Sequence, residues 1–343
     1  MQVAGQLIST IGWLGLALIA SELLATLIYD VGQWVGFRLT GARVVALVGF
    51  RYQLSRVAGH WKFQRPLTAY PHLIAMPAED PRRFNHALYC FGGPLFNLLV
   101  VVMSLVTMLQ FTLGYSLWLF VFIIWIWVNT LKVAQLLPMN WFGRPTAGQE
   151  FRAARESTAA MTAAYVTACA RALKVQTGRV ADLDAGMIVM PRDGGNRNYL
   201  VVRQANLILE WGLQHGLSTS ELLSGLARLE PSFNTIPRAD LAHYLDATIY
   251  WNLYSDHPAP QVTGWYQDAG VAQLLRRYEP LGNFKLRAVY EWRVNQAPQR
   301  ALALITRGLK YARRSNDLTE IDWLKALRAR VEASAKTSVT KEG

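Results

Sequence analysis

The sequence predicts an α-helical membrane protein carrying a small β segment and an all-α soluble C-terminal domain of helical hairpins. Three observations lead there. Nearly all long apolar runs lie before residue 138 of a 343-residue chain that is 52% hydrophobic. Three of those runs are long enough to cross the ~30 Å hydrocarbon layer of a bilayer. Beyond residue 148 the sequence turns charged and helix-prone, with apolar positions at helical spacing.

The first expected span covers residues 7–35. Residues 1–10 hold no Lys or Arg, Glu22 interrupts the apolar run, and no small-x-small cleavage site follows, so this reads as a retained helix rather than a signal peptide. Its polar residues Glu22, Thr26, Tyr29, Asp30 and Gln33 are spaced as neighbours on one helical face. An acidic side chain at membrane depth costs at least ~2.5 kcal/mol, so the stripe should face a bundle interior or a wet cavity. A polar helix–helix contact is the simpler of those readings.

Residues 36–87 form a basic, β-prone segment. Val44–Phe50, then Trp61-Lys62-Phe63 after a turn at Ala58-Gly59, then Leu73–Met76 between Pro71 and Pro77, predict two or three short strands. An exposed edge there could accept an extended peptide. The second span, 88–112, opens Phe91-Gly92-Gly93-Pro94-Leu95-Phe96-Asn97. Its glycines allow close backbone approach, and Asn97 can donate and accept inside a bundle. The third span, 117–137, is stopped by Pro138.

The formal net charge is +12. No zinc-knuckle, RNP-like or helix-turn-helix pattern accompanies it, which argues against nucleic acid. Much of the excess flanks the spans instead: Arg38, Arg43, Arg51, Arg56, Lys62, Arg65, Arg82 and Arg83 in the first loop, and Arg144, Arg152 and Arg155 after the third span. By the positive-inside tendency the N-terminus lies outside a plasma or inner membrane and the C-terminal domain is cytosolic. Cys90 and Cys169 form no Cys-x-x-Cys pair and read as packing residues.

The boundaries expected are a membrane domain over 1–147, a helical domain over 148–333 and a disordered tail over 334–343. Residues 149–176 are Ala- and Arg-rich and read as one helix. Residues 177–198 form an irregular excursion in which Asp193-Gly194-Gly195-Asn196 is a turn. Helices follow over Tyr199–His215, Ser218–Leu229, Arg238–Tyr254, Gly264–Tyr278, Gly282–Asn295, Pro298–Arg314 and Leu318–Ala333. Ser218 to Glu221 has capping-box spacing. The tetratricopeptide pattern is absent, so the expectation is a general array of helical hairpins that binds a cytosolic protein. Trp211, Trp251, Trp265, Trp292 and Trp323 read as core.

Several blocks between residues 10 and 150 together resemble the site-2 protease family of zinc intramembrane metalloproteases. They are Tyr29-Asp30-Val31-Gly32-Gln33 in the first helix, Gly41-Ala42-Arg43-Val44 with its strand, Gly93-Pro94-Leu95-Phe96-Asn97, and Leu136-Leu137-Pro138 with Thr146-Ala147-Gly148. The resemblance implies a three-helix transmembrane core. In that family His-Glu-x-x-His sets two imidazoles at i and i+4 for zinc, with the glutamate as general base. Here Tyr29 and Gln33 stand at the histidine positions, Asp30 at the glutamate position, and Ala147 at the aspartate that supplies the third ligand.

This alignment leaves no zinc ligand, and no cofactor is expected. His60, His72 and His86 lie in the first loop or at its end but form no i, i+4 pair with one another. Without metal, Asp30 has no means of making hydroxide near neutral pH, and Glu22 is two helical turns away, too far for a shared-proton dyad. The expected function is therefore a proteolytically inactive relative that binds or regulates a membrane protein or transmembrane segment. Its groove would be lined by Glu22, Thr26, Gly93, Pro94 and Asn97. The alternative is an active zinc metalloprotease with substituted ligands.

Overall fold

The computed structural model describes residues 2–49, 52–57, 59–64, 72–78, 81, 84–110, 117–188, 198–215, 236–255, 260–279, 282–315 and 317–341. The helix expected over Ser218–Leu229, the Asp193–Asn196 turn and the link between the second and third spans lie outside them. The chain divides into two compact units. One comprises Met1–Val44, Pro71–Trp141 and Pro145–Arg152, the other Val45–Tyr70, Phe142–Arg144 and Ala153–Gly343. The division thus assigns most of the β segment to the helical unit, where the sequence placed it with the membrane domain.

In the first unit, α1 (Gln2–Leu39), α2 (His86–Gln110) and α3 (Leu117–Val133) are the three apolar helices. The stretches Ser9–Leu39, His86–Gln110 and Leu117–Leu136 are each long and apolar enough to cross a membrane. α1 ends in a Schellman motif: Gly41 takes φ +72°, the Gly41 N–H bonds the Arg38 carbonyl at 3.1 Å, and the Ala42 N–H bonds the Phe37 carbonyl at 2.8 Å. The accompanying apolar contact of such a cap is present, because Phe37 and Ala42 share a buried cluster with Ala75. Ala75 belongs to β4 (His72–Met76), and its carbonyl accepts the Tyr89 hydroxyl at 3.1 Å. That bond ties β4 to the first turn of α2.

Pro94 sits inside α2, where it removes one backbone donor. After α3 a short 3-10 turn, Ala134–Leu136, leads into the Pro138 stop. Thr146 fixes the tract that follows. Its hydroxyl donates to the Leu137 carbonyl and accepts the Met139 and Gln149 N–H groups at 3.3 and 3.2 Å, capping α4 (Ala147–Ala154).

In the second unit, β1 (Arg43–Val48), β2 (Gln53–Val57) and β3 (His60–Gln64) make an antiparallel meander. Ala46 faces Ser55 across β1 and β2, and Leu54 faces Phe63 across β2 and β3. Gly59, at φ +84°, supplies the left-handed residue between Val57 and its partner His60. With β4, four strands are described between Arg43 and Met76, against the two or three the sequence suggested there, and a further two-residue pair joins Asn140–Trp141 to Arg144–Pro145. The inner face of the meander, with Ala46 and Ser55 fully buried, belongs to a packed layer in which β2 meets the helix Thr158–Thr177.

The helical array comprises α5 (Thr158–Thr177), α6 (Tyr199–Gln214), α7 (Arg238–Tyr254), α8 (Pro260–Gln267), α9 (Ala269–Tyr278), α10 (Gly282–Arg293), α11 (Pro298–Ser315) and α12 (Leu318–Lys341). Neighbours in sequence pack together, α5 on α6, α10 on α11 and α11 on α12, around a core that includes Leu200, Leu209, Ile249, Leu253, Leu286, Ile305 and Leu324.

Three expectations are corrected here. The single helix over 149–176 is two, because Ser157 accepts the Ala160 N–H at 3.1 Å and starts α5 afresh. The helix over Gly264–Tyr278 breaks at Asp268, whose carboxylate accepts the Val271 N–H at 2.9 Å and caps α9. The tail read as disordered continues α12 through Lys341. Ala335, Lys336 and Lys341 suit a helix that is already nucleated, and Ser334 accepts the Trp292 indole N–H at 2.8 Å.

Candidate functional site

The polar stripe of α1 meets α2 and α3 inside the first unit. α1 and α2 cross at glycines: a Cβ on Gly92 would lie 2.5 Å from the Gly32 carbonyl oxygen and 3.1 Å from the Gly36 Cα. Gly32 and Gly36 form a Gly-x-x-x-Gly spacing, the usual means by which two membrane helices reach backbone contact. One turn deeper, Asn97 is fully buried. Its amide donates to the Ala25 carbonyl at 3.1 Å and to Asn129 Oδ1 at 2.8 Å, while Asn129 donates to the Trp125 carbonyl at 2.8 Å. This chain of amides joins all three helices.

Glu22 and Thr26 belong to a separate polar contact. The Glu22 carboxylate pairs with the Lys132 ammonium of α3 and accepts the Thr26 hydroxyl at 3.3 Å. Gly93 and Pro94 are buried at the helix crossing. The five residues assigned to a groove therefore lie within helix contacts, where Glu22, Thr26 and Asn97 bond partners of the same chain.

The four motif positions hold residues engaged in packing. The Tyr29 ring lies over Gly93, with ring carbons 2.8–2.9 Å from where a Cβ would sit. Gln33 Oε1 accepts the Leu73 N–H of β4 at 3.4 Å. Asp30 is half-buried, and its Oδ1 has no hydrogen-bond partner among the described residues. Ala147 offers no donor atom. A zinc ion does not fit this set, because one oxygen is committed to β4, a phenol is packed on a glycine, and the third position is a methyl group.

No protein-family model matches the chain. No curated protein or solved structure matches it either. The resemblance to site-2 proteases rests on the order of the motif blocks.

Sequence reasoning missed two features of this unit. One is Lys132, visible as a lone cation in an apolar span, which identifies the partner that Glu22 requires. The other is an i, i+4 pair on α2: His86 Nε2 lies 3.3 Å from Cys90 Sγ, both residues are buried, and the His86 ring stacks on Phe151 with centroids 6.3 Å apart. Among the described residues no group of three or more His, Cys, Asp or Glu side chains could hold a metal ion. His60 is exposed at the start of β3, His72 is half-buried on β4, and His86 lies between the Cys90 thiol and the Phe84 and Phe151 rings.

The helical unit has its own buried charges. Lys285 lies between Glu320 at 3.2 Å and Asp246 at 3.6 Å, with its ammonium 4.2 Å from the Trp323 ring centroid and 4.8 Å from that of Tyr250. Burial raises the Glu320 pKa to about 7 despite the lysine. Beside this, Lys174 bridges Glu210 at 3.0 Å and Asp317 at 3.4 Å. At the margin of this network, where the His243 side chain is 42% exposed, desolvation opposes its charged form, but the Glu279 carboxylate at 3.3 Å prevails and holds the imidazole pKa up, to about 9. These pairs join helices distant in sequence and serve as structural clamps. Trp251 and Trp292 are core and Trp323 packs against it, whereas Trp265 is 38% exposed and departs from the core assignment.

Proposed function

We propose that the chain is a proteolytically inactive, site-2-protease-like membrane protein that binds an extended segment of a membrane partner. The observation that carries the reading is the state of the motif positions. Tyr29 and Gln33 spend their side chains on Gly93 and Leu73, so the place where metal-bound water would attack is taken up by packing. A water molecule with no metal stays far too weak an acid to give hydroxide near neutral pH, and Asp30 alone is a poor base for it.

The partner's seat in this reading is β3. It is an end strand of its sheet, and Trp61 and Phe63 on one face are 52% and 78% exposed. Among the described residues no strand pairs with the outer edge of β3, and an edge with aromatic neighbours favours strand addition, in which backbone bonds give affinity and alternate side chains give selectivity. The cytosolic location of the helical array, and its service as a second protein contact, belong to the same proposal.

The test is photocrosslinking in native membranes with a benzophenone amino acid at Phe63, compared with one at Leu109 on the exposed face of α2. The proposal expects one defined membrane-protein adduct from position 63, lost when Trp61→Pro removes a backbone donor from the outer edge of β3, since Lys62 is the residue paired inward with Ser55. It expects no cleavage of that partner. Cleavage abolished by Asp30→Ala would establish the metalloprotease alternative instead.

A further inference from the structure

The helical unit contains an open cavity of about 570 Å³ between α7 and the α8–α9 pair. Leu241, Leu245 and Leu274 contribute an apolar floor, Trp265 a wall, and Arg238 and Arg277 the charged part of the lining. A second hollow of about 530 Å³ shares Arg277 and Gln273 with the first and adds Arg276. An apolar slot thus continues into a basic pocket. Its volume falls in the range of about 300–1,000 Å³ usual for small-ligand sites.

The arginines are not consumed by the fold. Arg238, Arg276 and Arg277 are exposed and make no ion pair among the described residues. Among the described residues the Arg276 side chain bonds the Ala272 carbonyl of its own helix, and Arg277 lies 5.4 Å from the Tyr278 ring centroid. The one acid in the lining, Asp268, is occupied as the cap of α9. Guanidinium groups held beside an apolar slot complement a molecule with an anionic, phosphate-like head and an apolar tail.

We infer that this groove binds an anionic phospholipid, with one acyl chain on the leucine floor and the phosphate at Arg238, Arg276 and Arg277. The choice of lipid over an acidic peptide follows from size and supply. A specific protein partner needs roughly 1,000 Å² or more of interface, whereas two adjoining hollows suit one amphiphile. The chain also carries three helices long and apolar enough to cross a membrane, where phospholipid is abundant. The inference is independent of the reading of the motif positions.

To test it, the full-length protein is reconstituted in phosphatidylcholine nanodiscs containing a minor fraction of phosphatidylglycerol with a diazirine in one acyl chain. After illumination, labelled peptides are mapped by mass spectrometry. Label is expected within residues 260–278, exceeding that from the same diazirine on phosphatidylcholine by roughly tenfold, the value of one charge-assisted contact. It should fall about tenfold in Arg238→Gln/Arg277→Gln and largely persist in Arg238→Lys/Arg277→Lys. Unchanged label on residues 86–110 reports that each variant is inserted. Equal labelling by the two lipids, or undiminished labelling of the glutamine variant, overturns the assignment. Absence of label from 260–278 where an acidic amphipathic peptide crosslinks there assigns the groove to a protein and overturns it equally.

Discussion

Gly92→Ala puts a methyl group into the crossing of α1 and α2, and the structure fixes how badly it fits. The new Cβ would stand 2.5 Å from the Gly32 oxygen, 3.1 Å from the Gly36 Cα and 3.2 Å from the Gln33 Cα. All three are backbone atoms, so no side chain can swing aside. A relaxed carbon–oxygen contact needs roughly 3.3 Å, and the helices must separate by about 0.8 Å at this point, which also loosens the amide chain from Asn97 one turn away. Overpacking of this kind costs about 1–3 kcal/mol, a shift of roughly 5- to 150-fold in the folding equilibrium. Gly12→Ala is the matched control, because nothing lies within 4 Å of its added Cβ. Steric-trap unfolding of the full chain in bicelles measures both. Equal stability of Gly92→Ala and Gly12→Ala would refute the close crossing and, with it, the packing that commits Tyr29 and Gln33.

The amide chain predicts a double-mutant-cycle coupling between Asn97→Ala and Asn129→Ala of about 0.6–1.7 kcal/mol, the range for hydrogen bonds between membrane helices; a coupling near zero would disconnect them. Lys285→Met leaves the Asp246 and Glu320 carboxylates facing each other without their cation, and should destabilise the helical unit by about 3–5 kcal/mol in chemical denaturation at neutral pH. The Glu320 carboxyl is raised to about 7 from an ordinary value of 4.5, so it contributes stability below pH 4.5 that is lost as pH rises through 7. Glu320→Gln should flatten the melting temperature across that window, and an unchanged slope would count against the burial of the carboxyl. His243, raised to about 9 from 6.5, contributes stability below pH 6.5 that is lost as pH rises through 9. His243→Asn should remove that slope, and an identical wild-type and variant profile would contradict the pairing with Glu279.

What the sequence makes legible is set by whether a signal is local. The apolar helices are continuous runs, so their positions follow from hydropathy to within a few residues, as His86–Gln110 against 88–112 illustrates. α7 over Arg238–Tyr254 is equally readable because Pro237 marks its start and no Gly or Pro interrupts it. Pairings are not local. Glu22 and Lys132 are both conspicuous, yet 110 residues separate them, and only the fold brings them together. The Gly-x-x-x-Gly of α1 was overlooked beside the more prominent Gly-Gly-Pro of α2, although each is half of one crossing. Asp268 misled because a single aspartate serves equally as the polar face of a continuous helix or as the cap of a new one. Trp265 was assigned to the core by residue type, but a broken helix leaves it beside the groove.

The proposal that the motif positions no longer serve a metal is tested most directly by zinc per chain. Protein purified in mild detergent without a metal-binding tag is dialysed against micromolar zinc, freed of excess, and assayed by elemental analysis. A parallel sample carries Tyr29→His, Asp30→Glu, Gln33→His and Ala147→Asp. The account predicts a ratio near zero for the natural chain and near one for the restored motif. A ratio near one for the natural chain would contradict it, and near zero for both would sever the correspondence between these four positions and a metal site.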